Sequence, residues 1–308
     1  MLSNNIISDL SYLAIIEISG ADTESFLNAQ FTSNIKRQSE HQLQFSAWCN
    51  PKGQVKTTFY IYRHADNFYI LLPEELKVSF LKQLGMYILR ADVQLTDHSD
   101  SLARLGLCVE KSDLEKSNVG QSDILNQLPD NLAVLPLAST ESVQGQSRYI
   151  IIFDKEQEGS VRDALTEQLT DTDSSVWKGL DIQTGIPWLT LETAEKFLPQ
   201  MLNLDFMEAL DYQKGCYPGQ EIIARLHYRG ELKRNLYLAM CASKETPVAG
   251  TSIVSSDKTV GTVIQAQTDV EATYLLAVIE NDSIRDNLFL YNTDGPRLTV
   301  SSLIKQTD

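Results

Sequence analysis

The stretch Tyr212-Gln213-Lys214-Gly215-Cys216-Tyr217-Pro218-Gly219-Gln220-Glu221-Ile222-Ile223-Ala224-Arg225-Leu226-His227-Tyr228-Arg229-Gly230-Glu231-Leu232-Lys233-Arg234 separates two kinds of sequence. Within it, Gly215 and Gly219 bracket Cys216 and allow positive φ on either side of the thiol. Gln220 to His227 then reads as a helix with Ile222, Ile223 and Leu226 on an inward face, which places Cys216 just ahead of a helix N-terminus. Beyond it, residues 233–308 lose helical periodicity. Short apolar runs, Leu236 to Cys241, Thr259 to Ile264, Tyr274 to Ile279 and Leu288 to Tyr291, alternate with turn residues, the pattern of a small β-barrel.

Upstream, elements mix. Leu13 to Ile18 alternates as a strand, and after Gly20 either Asp22 or Thr23 can cap a short helix. Phe45 to Cys49, Lys56 to Arg63 and Phe68 to Leu72 read as strands joined by turn chemistry at Asn50-Pro51-Lys52-Gly53 and Asp66-Asn67. Leu76, Phe80, Leu81, Leu84 and Ile88 form a helical stripe after Pro73, and a strand is expected at Ala91 to Leu95. Leu105 to Val109, Leu132 to Leu137 and Tyr149 to Phe153 read as strands, Ser160 to Leu169 as a helix, and 111 to 124 and 138 to 147 as loops. The expected class is α+β: residues 1–232 form the mixed region and residues 233–308 the barrel domain.

The 308 residues carry a formal charge of −15, which opposes a surface that tracks phosphates, so tight direct nucleic-acid binding is not expected. Apolar runs stop well short of the roughly 20 residues a membrane span needs, and the N-terminus has no basic-then-apolar leader pattern. A cytoplasmic location is expected. Cys49, Cys108, Cys216 and Cys241 contain no CxxC pair, and His41, His64, His98 and His227 show no metal-ligand spacing. No metal site, Walker loop or Rossmann loop is expected.

Between Tyr212 and Arg234, five basic residues face two acidic ones, a local +3 in an acidic chain. That reversal reads either as an anion site or electropositive setting for a thiol, or as a solvated helix face. A helix dipole and Lys214 would both favour the Cys216 thiolate. No His and Asp partners complete a protease arrangement, and one thiol cannot ligate an iron–sulfur cluster. Trp177 offers a broad face for stacking on a heterocycle, with a half-buried helix position as the alternative, and Tyr12 is a weaker case. Trp48 and Trp188 read as core.

Lys214-Gly215-Cys216-Tyr217-Pro218-Gly219-Gln220-Glu221 matches KGCYxGQE, the signature of the YgfZ family of folate-binding, tRNA-modifying proteins. Ala224-Arg225, Arg229-Gly230 and Lys233-Arg234 continue it. Gly20-Ala21-Asp22 with Phe26-Leu27 and Gln30, Cys49-Asn50-Pro51-Lys52-Gly53, and Phe197-Leu198-Pro199-Gln200 with Asn203-Leu204 resemble the family's other blocks in order. The resemblance implies a fold like that of the glycine-cleavage T-protein (GcvT), with two intertwined ferredoxin-like α/β subdomains around an opening that binds tetrahydrofolate or a derivative. It implies roles for Cys216 and Lys214 in chemistry. For folate it implies Trp177, Tyr12 and Gln183, together with Tyr217, Gln220, Glu221 and Arg225 of the signature block. The process implied is maintenance of iron–sulfur enzymes, including those that thiolate tRNA, with client or cluster-assembly proteins as partners. Cys216 would then accept a one-carbon or sulfur species or bridge to a client. In the aminomethyltransferase relatives a turn glutamate contacts the pterin. Here the turn reads Ile182-Gln183-Thr184-Gly185, which weakens a one-carbon transferase reading; a non-catalytic scaffold is the other alternative.

Overall fold

The computed structural model describes residues 5–40, 42–110, 132–138, 145–243, 245–270 and 272–303. The loop expected at 111 to 124, and most of that at 138 to 147, lies outside the described residues.

The chain starts in one sheet, builds a second, and returns to the first. After β1 (Ile6–Asp9) come β2 (Leu13–Ser19), α1 (Thr23–Gln30), β3 (Gln44–Cys49), β4 (Val55–His64), β5 (Asn67–Pro73), α2 (Lys77–Gly85) and β6 (Gln94–Asp97). β2 to β6 make a five-stranded sheet of order β3-β4-β5-β2-β6. The chain then runs through β7 (Leu102–Glu110), β8 (Ala133–Pro136), β9 (Gln146–Asp154), α3 (Glu158–Thr166) and β10 (Thr170–Thr172). These strands rejoin β1 in the order β10-β1-β7-β9-β8, so the first sheet cannot be completed until more than half the chain is in place.

The strand expected at Ala91 to Leu95 begins later, at Gln94. Residues 86–92 are occupied by turns, with Leu89 at φ 50°, and the Asp92 carbonyl packs where a side chain on Gly20 would stand. A Cβ at Gly20 would meet that oxygen at 2.2 Å, so glycine is required for this approach.

Two helices connect the sheets to the rest. α4 (Ser174–Thr184) is capped by Asp173, whose carboxylate accepts from the Ser175 N–H, and stops at Gly185 in the left-handed conformation, φ 82°. α5 (Gln220–Arg229) begins after Gly219. The chain then enters a barrel made of β11 (Arg234–Cys241), β12 (Ser252–Ser255), β13 (Lys258–Thr268), β14 (Thr273–Glu280), β15 (Leu288–Leu290) and β16 (Arg297–Ser302). Its order is β11-β14-β13-β12-β15-β16, closed by β16 pairing with β11.

Burial follows these three bodies. One cluster fills the barrel and another lies between the first sheet and α3. The largest runs from the second sheet through Trp177 and Ile182 of α4 to Ile223 of α5 and the barrel residues Ile264 and Leu276. Sheets, linking helices and barrel therefore share a core, and the places where they fail to close completely are where a ligand can enter.

Candidate functional site

One such place is a cavity of about 490 Å³ between the second sheet, α4 and the barrel. Tyr12 enters from the head of β2, Glu74 and Glu75 from the end of β5, Lys178 from α4, Trp188 from the following loop and Gln265 from β13. A β-bulge in β13 shifts register between Val263 and Gln265. After it Gln265 lines the cavity and its side-chain oxygen accepts from the Trp188 N–H at 2.6 Å.

Behind this wall lies a fully buried charge pair. Arg148 of β9 bonds Asp181 of α4, and both are enclosed, Asp181 at 1% exposure. The other Asp181 oxygen accepts from Trp188 Nε1 at 2.8 Å and from the Tyr12 hydroxyl at 3.3 Å. Burial disfavours the Arg148 charge, but Asp181 outweighs it and raises the guanidinium pKa. Burial, then the Asp181 charge, pushes the Tyr12 phenol well above its usual range, so it remains a donor. The pair thus fixes the two aromatic groups of the cavity wall from behind. The Lys178 ammonium lies 4.5 Å from the Tyr12 ring centroid, and the loop carrying Trp188 is pinned where the Thr58 hydroxyl donates to the Pro187 carbonyl at 2.6 Å.

Of the residues the family resemblance assigned to folate, Tyr12 lines this cavity. Trp177 does not. It is 1% exposed, the Arg148 guanidinium lies 4.0 Å from its ring, and the Gly106 backbone presses on it so closely that a Cβ there would stand 2.5 Å from the indole. No ring face is left for a ligand. Gln183 is exposed on the last turn of α4, away from the lining. Sequence reading placed Trp188 in the core, where it is, at 7% exposure, but did not see that it borders the cavity, and it passed over Asp181. The cavity's acidic groups come from Glu74 and Glu75, two residues in an unremarked turn, rather than from the turn at Gln183.

The signature block forms a second locus. Asp211 folds it, accepting from the N–H groups of Gln213 at 2.7 Å and Lys214 at 3.0 Å. The Lys214 side chain turns inward and donates to the Phe31 and Ser33 carbonyls, both at 2.6 Å. Burial, partly offset by Asp211, lowers its pKa to about 8. Its two hydrogen bonds thus tie the motif to the chain after α1, and Cys216 receives neither. Tyr217 is buried in the main core, and Gln220 Nε2 reaches the Lys214 carbonyl at 3.4 Å across the loop. Gly219 takes φ 82° while Gly215 does not have positive φ. Gly219 packs on the Asn50-Pro51-Lys52-Gly53 turn, where a Cβ would meet Gly53 Cα at 2.5 Å and Asn50 O at 2.6 Å.

What remains outward is Cys216, an exposed free thiol three residues before Gly219, with Glu221 and Arg225 exposed on α5. Cys49, Cys108 and Cys241 are buried, as their apolar neighbours predict. The Phe197 block is also structural. Gln200 Nε2 donates to the Ile223 carbonyl at 2.7 Å, and Asn203 Nδ2 to the Leu236 carbonyl at 2.9 Å, joining α5 and the barrel. No residue of the signature block lines the cavity behind Tyr12.

Architecture and comparison agree on the class. Residues 2–113 match the GCVT N-terminal domain. The whole fold matches the crystal structure of glycine cleavage system aminomethyltransferase T from Bartonella henselae, with a TM-score of 0.76 at 12% identity, over 99% of this chain and 88% of that one. This is a GcvT-like protein, with mixed α/β units and a C-terminal barrel. Within that class, the chain is 33% identical over 242 residues to tRNA-modifying protein YgfZ of Colwellia psychrerythraea, covering 77% of this chain and 72% of that one. It is 29% identical over 302 residues to the protein of the same name from Enterobacter sp. (strain 638), covering 94% and 90%. The chain belongs to the YgfZ family. Among the described residues no helix is long and apolar enough to cross a membrane.

Proposed function

We propose that this protein binds a reduced folate in the cavity behind Tyr12 and supports iron–sulfur enzymes in the cytoplasm, tRNA-modifying ones among them, with Cys216 as its reactive group. The observation that carries the folate reading is the cavity's donor set. Its volume suits a ligand of drug size. Half-buried Tyr12 and the small accessible part of Trp188 supply apolar surface for a pteridine, and Glu74 Oε2 is buried without a hydrogen-bond partner. The pyrimidine edge of a pterin carries N–H donors that a carboxylate oxygen accepts, and the anionic glutamate tail of folate is complementary to Lys178. Folate bound there would rest on side chains held by the Arg148–Asp181 pair.

Cys216 lies on the signature loop rather than in this cavity, which suits action on a group presented from outside. Its thiolate can take a sulfane sulfur from a donor persulfide with the donor thiolate leaving, take a one-carbon unit with the donor amine leaving, or attack a client disulfide and release the second client sulfur as thiolate.

Calorimetry with tetrahydrofolate tests the pocket. Wild type and Cys216→Ala should bind equally in the micromolar range, with Trp188→Ala at least about tenfold weaker. No binding by wild type at about 1 mM folate, or full binding by Trp188→Ala, refutes the site. Cys216→Ala should fail to restore tRNA thiolation in cells lacking the protein.

A further inference from the structure

Beside the signature loop, and separate from the folate cavity, a groove of about 550 Å³ runs between the segment after α1, the start of β3, the Asp205–Gln213 connection and the last turn of α5. Nearly every unsatisfied group in it is an acceptor. Gln38 is 9% exposed; its Nε2 donates to the Ile61 carbonyl at 2.6 Å and the Gln42 carbonyl at 3.2 Å, which fixes the amide and leaves Oε1 buried with no partner. Asn34 repeats the arrangement. Its Nδ2 donates to Asp211 at 3.0 Å and its Oδ1 is left unpaired. Flipping either amide would set oxygen against oxygen, so the two free carbonyls are dictated by their surroundings.

Carboxylates add to them. Asp211 is engaged by the motif backbone and has Arg37 at 3.6 Å, but Asp205 and Glu208 form no ion pair among the described residues. Burial raises the Asp205 carboxyl, partly offset by backbone N–H groups, Phe206 among them, and by nearby His227. Above these acceptors Tyr212 and His227 stack, ring centroids 3.9 Å apart and 15° from parallel, and exposed Tyr228 stands edge-on to both. His227 and Tyr228 belong to the C-terminal turn of a ten-residue helix, the negative end of its dipole.

Two fixed amide oxygens, two carboxylates without a salt bridge among the described residues and a flat aromatic stack call for a planar cation with several donors and no acceptor. A guanidinium has that chemistry, and an ammonium lacks the planarity to use the stack. We propose that this groove binds an arginine side chain of a partner protein, in the neighbourhood of the Cys216 loop that Gln213 and Lys214 begin. The proposal stands whether or not the cavity behind Tyr12 takes folate.

Saturation-transfer NMR on the full chain with acetyl-Gly-Arg-Gly-amide provides the test, because the tripeptide isolates the side chain. Binding with Kd on the order of 1 mM is expected. The citrulline tripeptide, isosteric and uncharged, should bind at least about tenfold more weakly. Asp205→Asn with Glu208→Gln should weaken the arginine tripeptide by a similar factor, while Asp286→Asn on the barrel leaves it unchanged. Thermal melts of the variants matching wild type exclude unfolding as the cause. No transfer at about 20 mM tripeptide, equal binding of citrulline, or spermidine binding as tightly as the arginine peptide would overturn the assignment.

Discussion

The cavity behind Tyr12 and the signature loop use their residues in opposite ways. The cavity draws on five separate parts of the chain, none with a motif, and is lined by Tyr12 and Lys178 with the largely buried Trp188 beside them. The signature loop is eight consecutive residues with a family pattern, yet Lys214 and Tyr217 are turned into the core and Gly219 is consumed in packing against the turn at Gly53. A dense local motif here marks a junction that positions one exposed thiol. The cavity lies where the second sheet, α4 and the barrel meet, and no single segment announces it. The two regions also differ in what holds them: a buried ion pair behind the cavity, backbone carbonyls and a glycine contact under the loop.

Asp181→Ala should expose that difference most strongly. It leaves Arg148 charged, fully buried and without its carboxylate, and removes the acceptor of Trp188 Nε1 and Tyr12. The expected loss is about 3–5 kcal/mol in urea unfolding, accompanied by weaker folate binding. The double change Arg148→Met with Asp181→Leu should recover much of the stability without the folate affinity, since the aromatic wall would still lack its anchor. A single-variant loss under about 1 kcal/mol would mean that the pair does not organise the cavity.

Gly219→Ala comes next and strikes the loop alone. Positive φ costs an alanine about 1–2 kcal/mol, and the Cβ contact with Gly53 and Asn50 adds to it, so about 2–4 kcal/mol is expected. Folate affinity should be unchanged while the Cys216-dependent cellular activity falls. Equal loss of both would join the two regions into one site.

The same contrast explains what could be read from sequence. Most strands were legible because runs such as Leu13 to Ile18 or Tyr274 to Ile279 are dense in strand-forming apolar residues, and they appear as β2 and β14, buried along nearly their whole length. β10 was not, because Thr170–Thr172 is a three-residue edge strand with no apolar face, specified by pairing with β1 from the opposite end of the sheet region. β12 and β16 escaped because each offers only two apolar residues between polar neighbours, and barrel closure specifies them. At the site, Cys216 stood out by its glycine brackets, and it is exposed. Trp177 stood out as a large aromatic, but its surroundings depend on Arg148 and Gly106, 29 and 71 positions away, whose approach no local pattern encodes. Trp188 carried the same composition signal and is core as read, at 7% exposure, but its place on the cavity wall was not legible.

Lys214→Met carries the smallest effect and sharpens the account of the loop through pH. The substitution removes the donor from the Phe31 and Ser33 carbonyls, for an expected loss of about 1–2 kcal/mol at pH 7. The folded-state pKa of about 8 lies below the ordinary lysine value of 10.5. Below about pH 8 the amine is charged in both folded and unfolded chains, so its contribution is constant. Between about 8 and 10.5 the unfolded chain holds more protons than the folded one, and the wild type gains stability from this group as pH rises. A neutral amine still donates to both carbonyls, so the gain is not cancelled by lost hydrogen bonds. Methionine cannot titrate, and groups elsewhere cancel in the difference between the two proteins. The stability gap in urea should therefore be flat from pH 6 to 7.5 and widen steadily toward pH 10. A gap that narrows over that range would place the ammonium in a setting that favours its charge, and Lys214 would then be an electropositive neighbour of Cys216 rather than a tether under it.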